Sequence, residues 1–260
     1  TYSRRLIVRV DIIAASARRK VTTAIEFVEL TKRYGEQLAV ANLSARVQQG
    51  RITGFLGPNG AGKSTALRCL VGLARPSAGK ALILGAPYNE LKNPLTTVGT
   101  VLDSRGFHPG LTGRQNLLVV AAAAGIGKDR VAEVLQITNL SEAANKRVRG
   151  YSLGMKQRLA LAGALLGDPQ ILILDEPANG LDPAGIAWLR RFLRNLADEG
   201  RTILVSSHQL AEMQNTVDDV LIINQGQLIA SGGLGEVVDG DSLEETFLNL
   251  TEADGGSSLR

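Results

Sequence analysis

The sequence contains a single cysteine, Cys69, among 260 residues. One thiol cannot build a disulfide framework or a cysteine-based zinc site, and a chain without either suits a reducing cytoplasm. Cys69 falls within a helical pattern, so we expect it to be a packed thiol with no chemical role.

Long apolar runs are also missing. The longest, Leu117 to Gly127, is rich in Ala and Gly, and its length is typical of a buried helix rather than of a membrane span. Residues 6–15 are apolar but contain Arg9 and Asp11, which argues against a signal-peptide core. Any membrane role is therefore expected to come through a partner protein.

Net charge is low outside the first 24 residues. The chain carries +4 at pH 7, but residues 1–24 hold six basic residues against one acidic residue, and the remainder holds 23 basic and 24 acidic residues. A nearly neutral body gives no indication of nucleic-acid binding. We expect residues 1–23 to be a basic, flexible extension, with an organellar transit segment as the alternative. Residues 251–260 are expected to be a flexible tail.

The clearest motif is a phosphate-binding loop of nine residues. It is preceded by the apolar strand pattern Ile52 to Leu56 and followed by a helical pattern, Lys63 to Val71. In such a loop the glycines let backbone amides surround a polyphosphate, the lysine reaches the β- and γ-phosphates, and the serine faces Mg²⁺. The alternative is a Gly/Asn turn before an ordinary helix. The loop residues are Gly57, Pro58, Asn59, Gly60, Ala61, Gly62, Lys63, Ser64 and Thr65.

A second motif follows the unbroken apolar run Ile171 to Leu174, which is typical of a strand buried on both faces of a parallel sheet. Asp175 and Glu176 come directly after it, at the edge where open α/β sheets bind ligands. We expect Asp175 to hold Mg²⁺ and Glu176 to deprotonate an attacking water. A solvated turn is the alternative.

The order of patterns predicts an α/β fold: a P-loop NTPase core of the RecA-like type with a mainly parallel sheet. Extended patterns at 24–30 and 38–47 predict N-terminal antiparallel strands. Residues 104–166 are mostly helical and lie between strand-rich segments, so they predict a helical lobe inserted into the core. No internal repeat occurs.

Three further segments, taken in order, resemble motifs of the nucleotide-binding subunit of ATP-binding cassette (ABC) transporters. Tyr151 to Met155 resembles the signature motif, Asn179 to Asp182 resembles the D-loop, and Ser206 to His208 resembles the segment with the switch histidine. The resemblance covers residues 24–250 and implies an ATPase that uses ATP and Mg²⁺. It implies that two such subunits, here expected to be a homodimer, act at the inner face of the cell membrane with a transmembrane permease.

The resemblance also implies roles for single residues. His208 contacts the γ-phosphate together with Lys63, and Tyr34 stacks on adenine, with packing at the core edge as its alternative. Ser152, Gly154 and Asp182 contact the nucleotide held by the other subunit. His108 matches no family motif and is expected to be a loop residue.

Two departures from the family pattern concern coupling and subgroup. Asp103 stands where many members have glutamine; it is a further candidate Mg²⁺ ligand but has no N–H donor. Leu153 and Met155 replace the usual Gly and Gln of the signature motif, which resembles bacterial exporters of antibiotics, lantibiotics and drugs. Residues 103–110 are the candidate contact with the permease.

Three other functions are alternatives. A soluble ABC ATPase acting on ribosomes or DNA needs two cassettes, a long coiled coil or a zinc module, and only 112 positions separate Lys63 from Asp175. A P-loop kinase does not explain Ser152, Gly154 and Asp182. A weakly active regulatory cassette remains an alternative because Asp103 and Leu153 are unusual.

Overall fold

The computed structural model describes residues 22–102, 106–238 and 242–255. The predicted extension 1–23 therefore lies almost wholly outside the described residues. The described strands are β1 Thr23–Tyr34, β2 Gln37–Gln48, β3 Ile52–Leu56, β4 Ala78–Ile83, β5 Val98–Val101, β6 Ile171–Leu174, β7 Thr202–Ser207, β8 Asp219–Asn224 and β9 Gln227–Gly233.

The helices alternate with these strands after β3 and are concentrated between β5 and β6. Short 3₁₀ turns occur at Tyr88–Glu90 and Val148–Gly150. The α-helices are α1 Lys63–Leu70, α2 Pro94–Thr97, α3 Gly113–Ala123, α4 Lys128–Ile137, α5 Leu153–Ala164, α6 Pro183–Asp198, α7 Leu210–Gln214, α8 Leu234–Val237 and α9 Leu243–Gly255.

The central sheet is six-stranded, with the order β5-β6-β7-β3-β8-β9. Its first five strands run parallel to their neighbours, and β9 pairs antiparallel with β8 at the edge. Because parallel strands end at the same edge, the segments after β3, β6 and β7 meet there. These segments carry the phosphate loop, the Asp175–Glu176 pair and His208.

Side chains of the central sheet alternate between two apolar layers, as the period of two in a strand requires. Leu172 and Leu174 of β6 face the layer that holds α5, α6 and the helical lobe. Ile171 and Ile173 face the layer that holds α1 and the smaller sheet. Burial on both faces explains the unbroken apolar run of β6 and the apolar centre of β7, Ile203 to Val205.

The smaller sheet is antiparallel, with the order β2-β1-β4. β1 and β2 form a hairpin that turns at Gly35, whose φ is +55°. This sheet packs its apolar side chains, including Phe27 and Leu43, against the layer around α1. The predicted N-terminal antiparallel strands are therefore present, and β4 completes them.

Helices α3, α4 and α5 form the lobe inserted between β5 and β6. Thr112 starts α3 with a capping box: its hydroxyl accepts from the Gln115 amide, and the Gln115 side chain accepts from the Thr112 amide. Ser152 caps α5 in a similar way. The predicted fold class, a mainly parallel core with antiparallel N-terminal strands and a helical lobe, is confirmed.

One predicted boundary needs correction. The expected tail from residue 251 begins inside α9, which continues to Gly255. Residues 251–254 contain no Gly or Pro to end a helix, and the Thr251 hydroxyl donates to the carbonyls of Phe247 and Leu248. Among the described residues, no helix has both the length and the apolar character needed to cross a bilayer.

Candidate functional site

The phosphate loop joins β3 to α1 and packs tightly against two other strands. Gly57 and Gly62 have φ values of +155° and +101°. A Cβ atom on Gly57 would overlap the Ile223 carbonyl oxygen, and one on Gly62 would overlap the Ala39 carbonyl oxygen. Glycine alone tolerates both the backbone angles and these close approaches. The shape of the loop is therefore fixed by its neighbours.

Lys63 lies at the first position of α1 with only 5% of its surface exposed. Its Nζ donates to the carbonyl oxygens of Gly57 at 2.7 Å and Pro58 at 3.1 Å. The same atom lies 3.2 Å from Glu176 Oε1. An ammonium group has three donors, so these partners hold Lys63 across the loop and beside the carboxylate.

Asp175 and Glu176, which follow β6, are joined by Ser206 of the adjacent strand β7. The Ser206 hydroxyl donates to Asp175 Oδ1 at 2.5 Å and accepts from the Glu176 amide at 2.9 Å. Glu176 has a φ of +49°, an uncommon and strained value for a residue with a side chain. The hydrogen bond from its amide helps to hold this backbone, and therefore the carboxylate, in place.

His208 completes the group at the end of β7. Its Nδ1 lies 2.8 Å from Glu176 Oε2. The Glu176 carboxylate thus lies between the Lys63 ammonium and the His208 imidazole. The Glu176 side chain is 18% exposed. The structure brings together Lys63, Asp175, Glu176 and His208, which the sequence singled out separately. It adds Ser206, whose linking hydroxyl depends on the strand order and was missed.

Two of these groups, Lys63 and Glu176, line a cleft of about 390 Å³, the phosphate cleft. Tyr34 stands at its other side with 47% of its surface exposed, and Lys32 Nζ lies 4.6 Å from the centre of the Tyr34 ring. Four lining residues had not been identified from the sequence: Gln37, Leu38, Ala39 and Gln225. The remaining lining residues are Tyr34, Asn59, Gly60, Ala61, Gly62, Lys63, Ser64, Thr65 and Glu176.

Ser152, Gly154 and Asp182 lie elsewhere, in a pocket of about 290 Å³ at the starts of α5 and α6. We name it the signature pocket; it is also lined by Met155, Gln157, Arg158, Leu181, Gly185 and Trp188. The Ser152 hydroxyl accepts from the Met155 amide at 3.2 Å, and Asp182 Oδ1 accepts from the Gly185 amide at 2.8 Å. Both residues are therefore N-caps of their helices.

Three further residues considered in the sequence are Asp103, His108 and Cys69. Asp103, the further candidate Mg²⁺ ligand, lies outside the described residues. His108 is exposed in the loop before α3, where its Nδ1 accepts from the Gly110 amide at 3.2 Å. Cys69 is buried in α1, and burial raises the pKa of its thiol while Lys32 opposes the shift.

The phosphate cleft has the groups that phosphoanhydride hydrolysis requires. A glycine-rich loop at the start of a helix, with a lysine, binds phosphates. A carboxylate that touches an imidazole can accept a proton from water. Ser64 and Asp175 offer hydroxyl and carboxylate oxygens, the ligand type that Mg²⁺ prefers.

Comparisons with known proteins agree with this chemistry. Residues 40–179 match the family model described as ABC transporter. The bacitracin transport ATP-binding protein BcrA of Bacillus licheniformis is 47% identical over 212 residues, which are 80% of this chain and 69% of that protein. The lantibiotic transport ATP-binding protein SrtF of Streptococcus pyogenes is 34% identical over 226 residues, 86% of this chain and 96% of that protein.

Solved structures give the same result. An ATP-binding subunit of an ABC transporter superimposes with a TM-score of 0.79 at 28% identity and covers 88% of this chain and 100% of its own. A dimeric bacterial ABC transporter cassette superimposes with a TM-score of 0.73 at 26% identity, with coverage of 81% and 98%. With its phosphate loop, Asp175–Glu176 pair and His208 assembled at one sheet edge, this chain belongs to the ABC transporter family, as an ATP-binding subunit that hydrolyses ATP.

Proposed function

We propose that two copies of this chain enclose two ATP molecules and that hydrolysis drives a separate membrane permease. One observation carries the proposal: Ser152, Gly154 and Asp182 line the signature pocket, which shares no residue with the phosphate cleft. We infer that these residues reach a phosphate held by Lys63 from a second chain. The likeness to a dimeric cassette supports this arrangement.

Nucleotide binding uses both ends of the phosphate cleft. Adenine stacks on the exposed ring of Tyr34. Stacking of a base on an aromatic side chain contributes roughly 1–3 kcal/mol to binding. The phosphates lie on the loop from Gly57 to Thr65, where backbone amides, Lys63 and the start of α1 supply positive charge. Ser64 and Asp175 hold Mg²⁺, which when bound neutralises phosphate charge.

Hydrolysis depends on Glu176 and His208. Glu176 accepts a proton from the attacking water, and its carboxylate is held at both oxygens, by Lys63 at 3.2 Å and by His208 at 2.8 Å. His208 orients both the carboxylate and the water beside the γ-phosphate. The second chain adds the Ser152 hydroxyl and the amides at the start of α5, which stabilise negative charge. ATP binding favours the closed dimer because neither chain neutralises the phosphates alone.

The permease is proposed to dock in an apolar groove between the core and the helical lobe. The groove includes Gly106, Phe107 and Val120, so it overlaps the part of the predicted contact segment 103–110 that the structure describes. Leu95 lines the groove and is 47% exposed, and Val119, which lies beside the groove, is 61% exposed. Exposed apolar side chains in one concave surface favour a protein partner. Docking there places the subunit at the inner face of the cell membrane.

The exported compound is proposed to be an antibiotic, a drug or a peptide. The support is the similarity to proteins named for bacitracin transport and lantibiotic transport. A strain that lacks this chain should accumulate more of such a compound inside the cell and should resist it less, and restoring the chain should reverse both changes. Copurification with a protein that has several long apolar spans would identify the permease directly.

The dimer is tested with Glu176→Gln, which removes the base but keeps the size of the side chain. We expect this variant to bind Mg-ATP, to hydrolyse it about 10²–10⁴-fold more slowly, and to form a stable dimer detected by light scattering after size-exclusion chromatography. The control is the double variant Glu176→Gln with Lys63→Ala, which should remain monomeric with Mg-ATP.

Two results would contradict the proposal. A strictly monomeric Glu176→Gln protein at saturating Mg-ATP, with and without its permease, would exclude the shared sites. Full hydrolysis by this variant would remove Glu176 from its role. Weak ATPase activity in the wild-type chain would instead favour the regulatory cassette.

A further inference from the structure

The signature pocket contains a stacked arrangement that the roles above do not use. The guanidinium Cζ of Arg158, on α5, lies 4.2 Å from the centre of the Trp188 ring, on α6. Trp188 stacks on Phe192 with ring centres 5.0 Å apart and an angle of 18° between the rings. Phe192 is buried in the core beneath α6. Arg158 therefore lies over the ring of Trp188, which is itself stacked on a side chain of the core.

Two apolar contacts join the same two helix starts. Leu153 is the first residue of α5. Its Cδ2 atom lies so close to Gly180 that a Cβ atom built on Gly180 would overlap it. A Cβ atom on Gly154 would meet Leu181 Cδ2 at 3.4 Å. Together with Arg158 and Trp188, these contacts connect the segment 152–154 to the segment 179–182 inside one chain. The unusual Leu153 thus fills space beside a glycine that has a φ of +71°.

The charge of Arg158 adds to this connection. Burial lowers the pKa of its guanidinium, and the nearby Asp182 carboxylate opposes that shift, but arginine stays charged at neutral pH. Within the described parts of the chain, the guanidinium forms no ion pair with a carboxylate and stacks on Trp188 instead. A cation over an aromatic face is attracted to it.

We propose that Arg158, stacked on Trp188, is a positioning residue that holds the segments 152–154 and 179–182 as one rigid surface for the nucleotide bound by the second copy. This inference rests on the proposed shared sites. Ser152 and Asp182 sit on different helices, and each helix start could otherwise shift against the other. A misplacement of about 1 Å in a catalytic surface lowers turnover by up to about a hundredfold.

The inference is tested with Trp188→Leu and Arg158→Met, which remove the aromatic face or the charge but keep apolar bulk. We expect kcat for ATP to fall about tenfold in each, with KM and nucleotide binding by the monomer unchanged. Trp188→Phe keeps an aromatic face and should recover most of the loss. The matched control is Arg190→Met, an exposed arginine on α6, which should leave kcat unchanged.

A mixing experiment separates positioning from general damage. Trp188→Leu keeps an intact phosphate loop, and Lys63→Ala keeps an intact signature pocket. In the mixed dimer one site combines the two intact parts, so adding the Lys63→Ala chain should raise the activity of Trp188→Leu several-fold. A companion mixture of Gly154→Asp with Lys63→Ala tests the shared sites themselves.

A spectroscopic readout follows from Trp188 being the one tryptophan of the chain. Arg158→Met should shift the emission of Trp188, whereas Arg190→Met should not. Full kcat in Trp188→Leu and Arg158→Met, loss of nucleotide binding by their monomers, or no recovery on mixing would overturn the inference. If the companion mixture recovers activity while these variants are fully active, only the inference fails. If the companion mixture stays inactive, the proposed shared sites fail and the inference with them.

Discussion

Lys63 and His208 both contact Glu176 beside the phosphate cleft, whereas Ser152 and Asp182 in the signature pocket accept hydrogen bonds from amides of their own helices. In the cleft, the carboxylate of Glu176 has a partner at each oxygen, at 3.2 and 2.8 Å. In the pocket, Ser152 and Asp182 are exposed. Both sets are needed for the proposed chemistry, in which they come together only between two chains.

The difference shows where preorganisation comes from in each region. The cleft is fixed by parallel strands: Ser206 of β7 joins Asp175 and Glu176 of β6, and the loop packs on Ile223 and Ala39. Groups fixed before the reaction need no reorganisation when charge develops. The signature pocket is fixed by helix starts and by side-chain stacking, and it presents a surface that a second chain can meet.

The largest expected effect comes from damaging each region separately. Lys63→Ala removes the ammonium from the cleft and should weaken ATP binding at least about tenfold, since hydrogen bonds to charged groups contribute about 1.5–3 kcal/mol. It should also abolish measurable hydrolysis. Gly154→Asp places a carboxylate where phosphate charge arrives and should lower kcat about 10²–10³-fold. Binding of a fluorescent ATP analogue to the Gly154→Asp monomer should stay normal.

The fold of Gly154→Asp is expected to persist. An acidic residue in the first turn of a helix is favourable, and a Cβ atom at this position meets only Leu181 at an ordinary contact distance. Comparison of melting temperatures checks this point. If Gly154→Asp lost ATP binding as severely as Lys63→Ala, the separation of the two regions would be wrong.

The next effect concerns the cleft alone. His208→Ala removes the imidazole that contacts Glu176 and should lower kcat about a hundredfold, with a smaller change in KM. The chain has a second histidine, His108, which is exposed and whose ring Nδ1 accepts from the nearby Gly110 amide. His108→Ala is therefore the matched control and should behave as wild type in steady-state ATPase assays. Equal losses in the two variants would exclude a specific role for His208.

A weaker effect is expected at the other end of the cleft. Tyr34→Ala removes the proposed stacking surface and should raise the Kd for ATP about tenfold, within the range that base stacking on aromatic side chains allows. Tyr34→Phe keeps the ring and should bind normally. Lys32, whose Nζ donates to the Arg75 carbonyl at 2.9 Å, lies against the ring. Unchanged titration curves for Tyr34→Ala would place adenine elsewhere.

The motifs that the structure brings together at one sheet edge could be found in the sequence because each of them is local. A glycine-rich loop between a strand and a helix can be recognised within about ten residues, and so can an acidic pair after a buried strand. Their common location followed from the rule that parallel strands end at one edge. The mainly parallel sheet and the helical lobe were predicted from the same patterns.

Other parts depended on which elements are neighbours, and the sequence does not state this. Ser206 links Asp175 to Glu176 only because β7 lies beside β6. Arg158 and Trp188 are 30 positions apart, and their stacking requires α5 and α6 to start at the same surface. The residues that complete the phosphate cleft from β2 and from the β8–β9 turn were missed for the same reason.

The smallest expected effect lies where the helical lobe is joined to the core. Asp168 Oδ1 accepts from Arg130 Nη2, on α4 of the helical lobe, at 3.0 Å and from Arg201 Nη2, just before β7 of the core, at 2.8 Å. The hydrogen bond from Arg201, with the charges of both arginines, lowers the pKa of the Asp168 carboxyl although partial burial opposes the shift. A lowered pKa means that the carboxylate stabilises the fold above the unfolded-state value near 3.9, and that this stability is lost as the pH falls through the lower, folded-state pKa.

Asp168→Asn should therefore lower the melting temperature slightly at pH 7, by about 2 °C, since the carboxylate is 63% exposed and such pairs contribute up to about 1 kcal/mol. Asn is a suitable replacement because it tolerates the φ of +53° at this position. The difference from wild type should shrink below about pH 4, and Asp198→Asn, an exposed residue of α6, should show no such difference. A loss that persisted unchanged in acid would mean that shape rather than charge at residue 168 joins the helical lobe to the core.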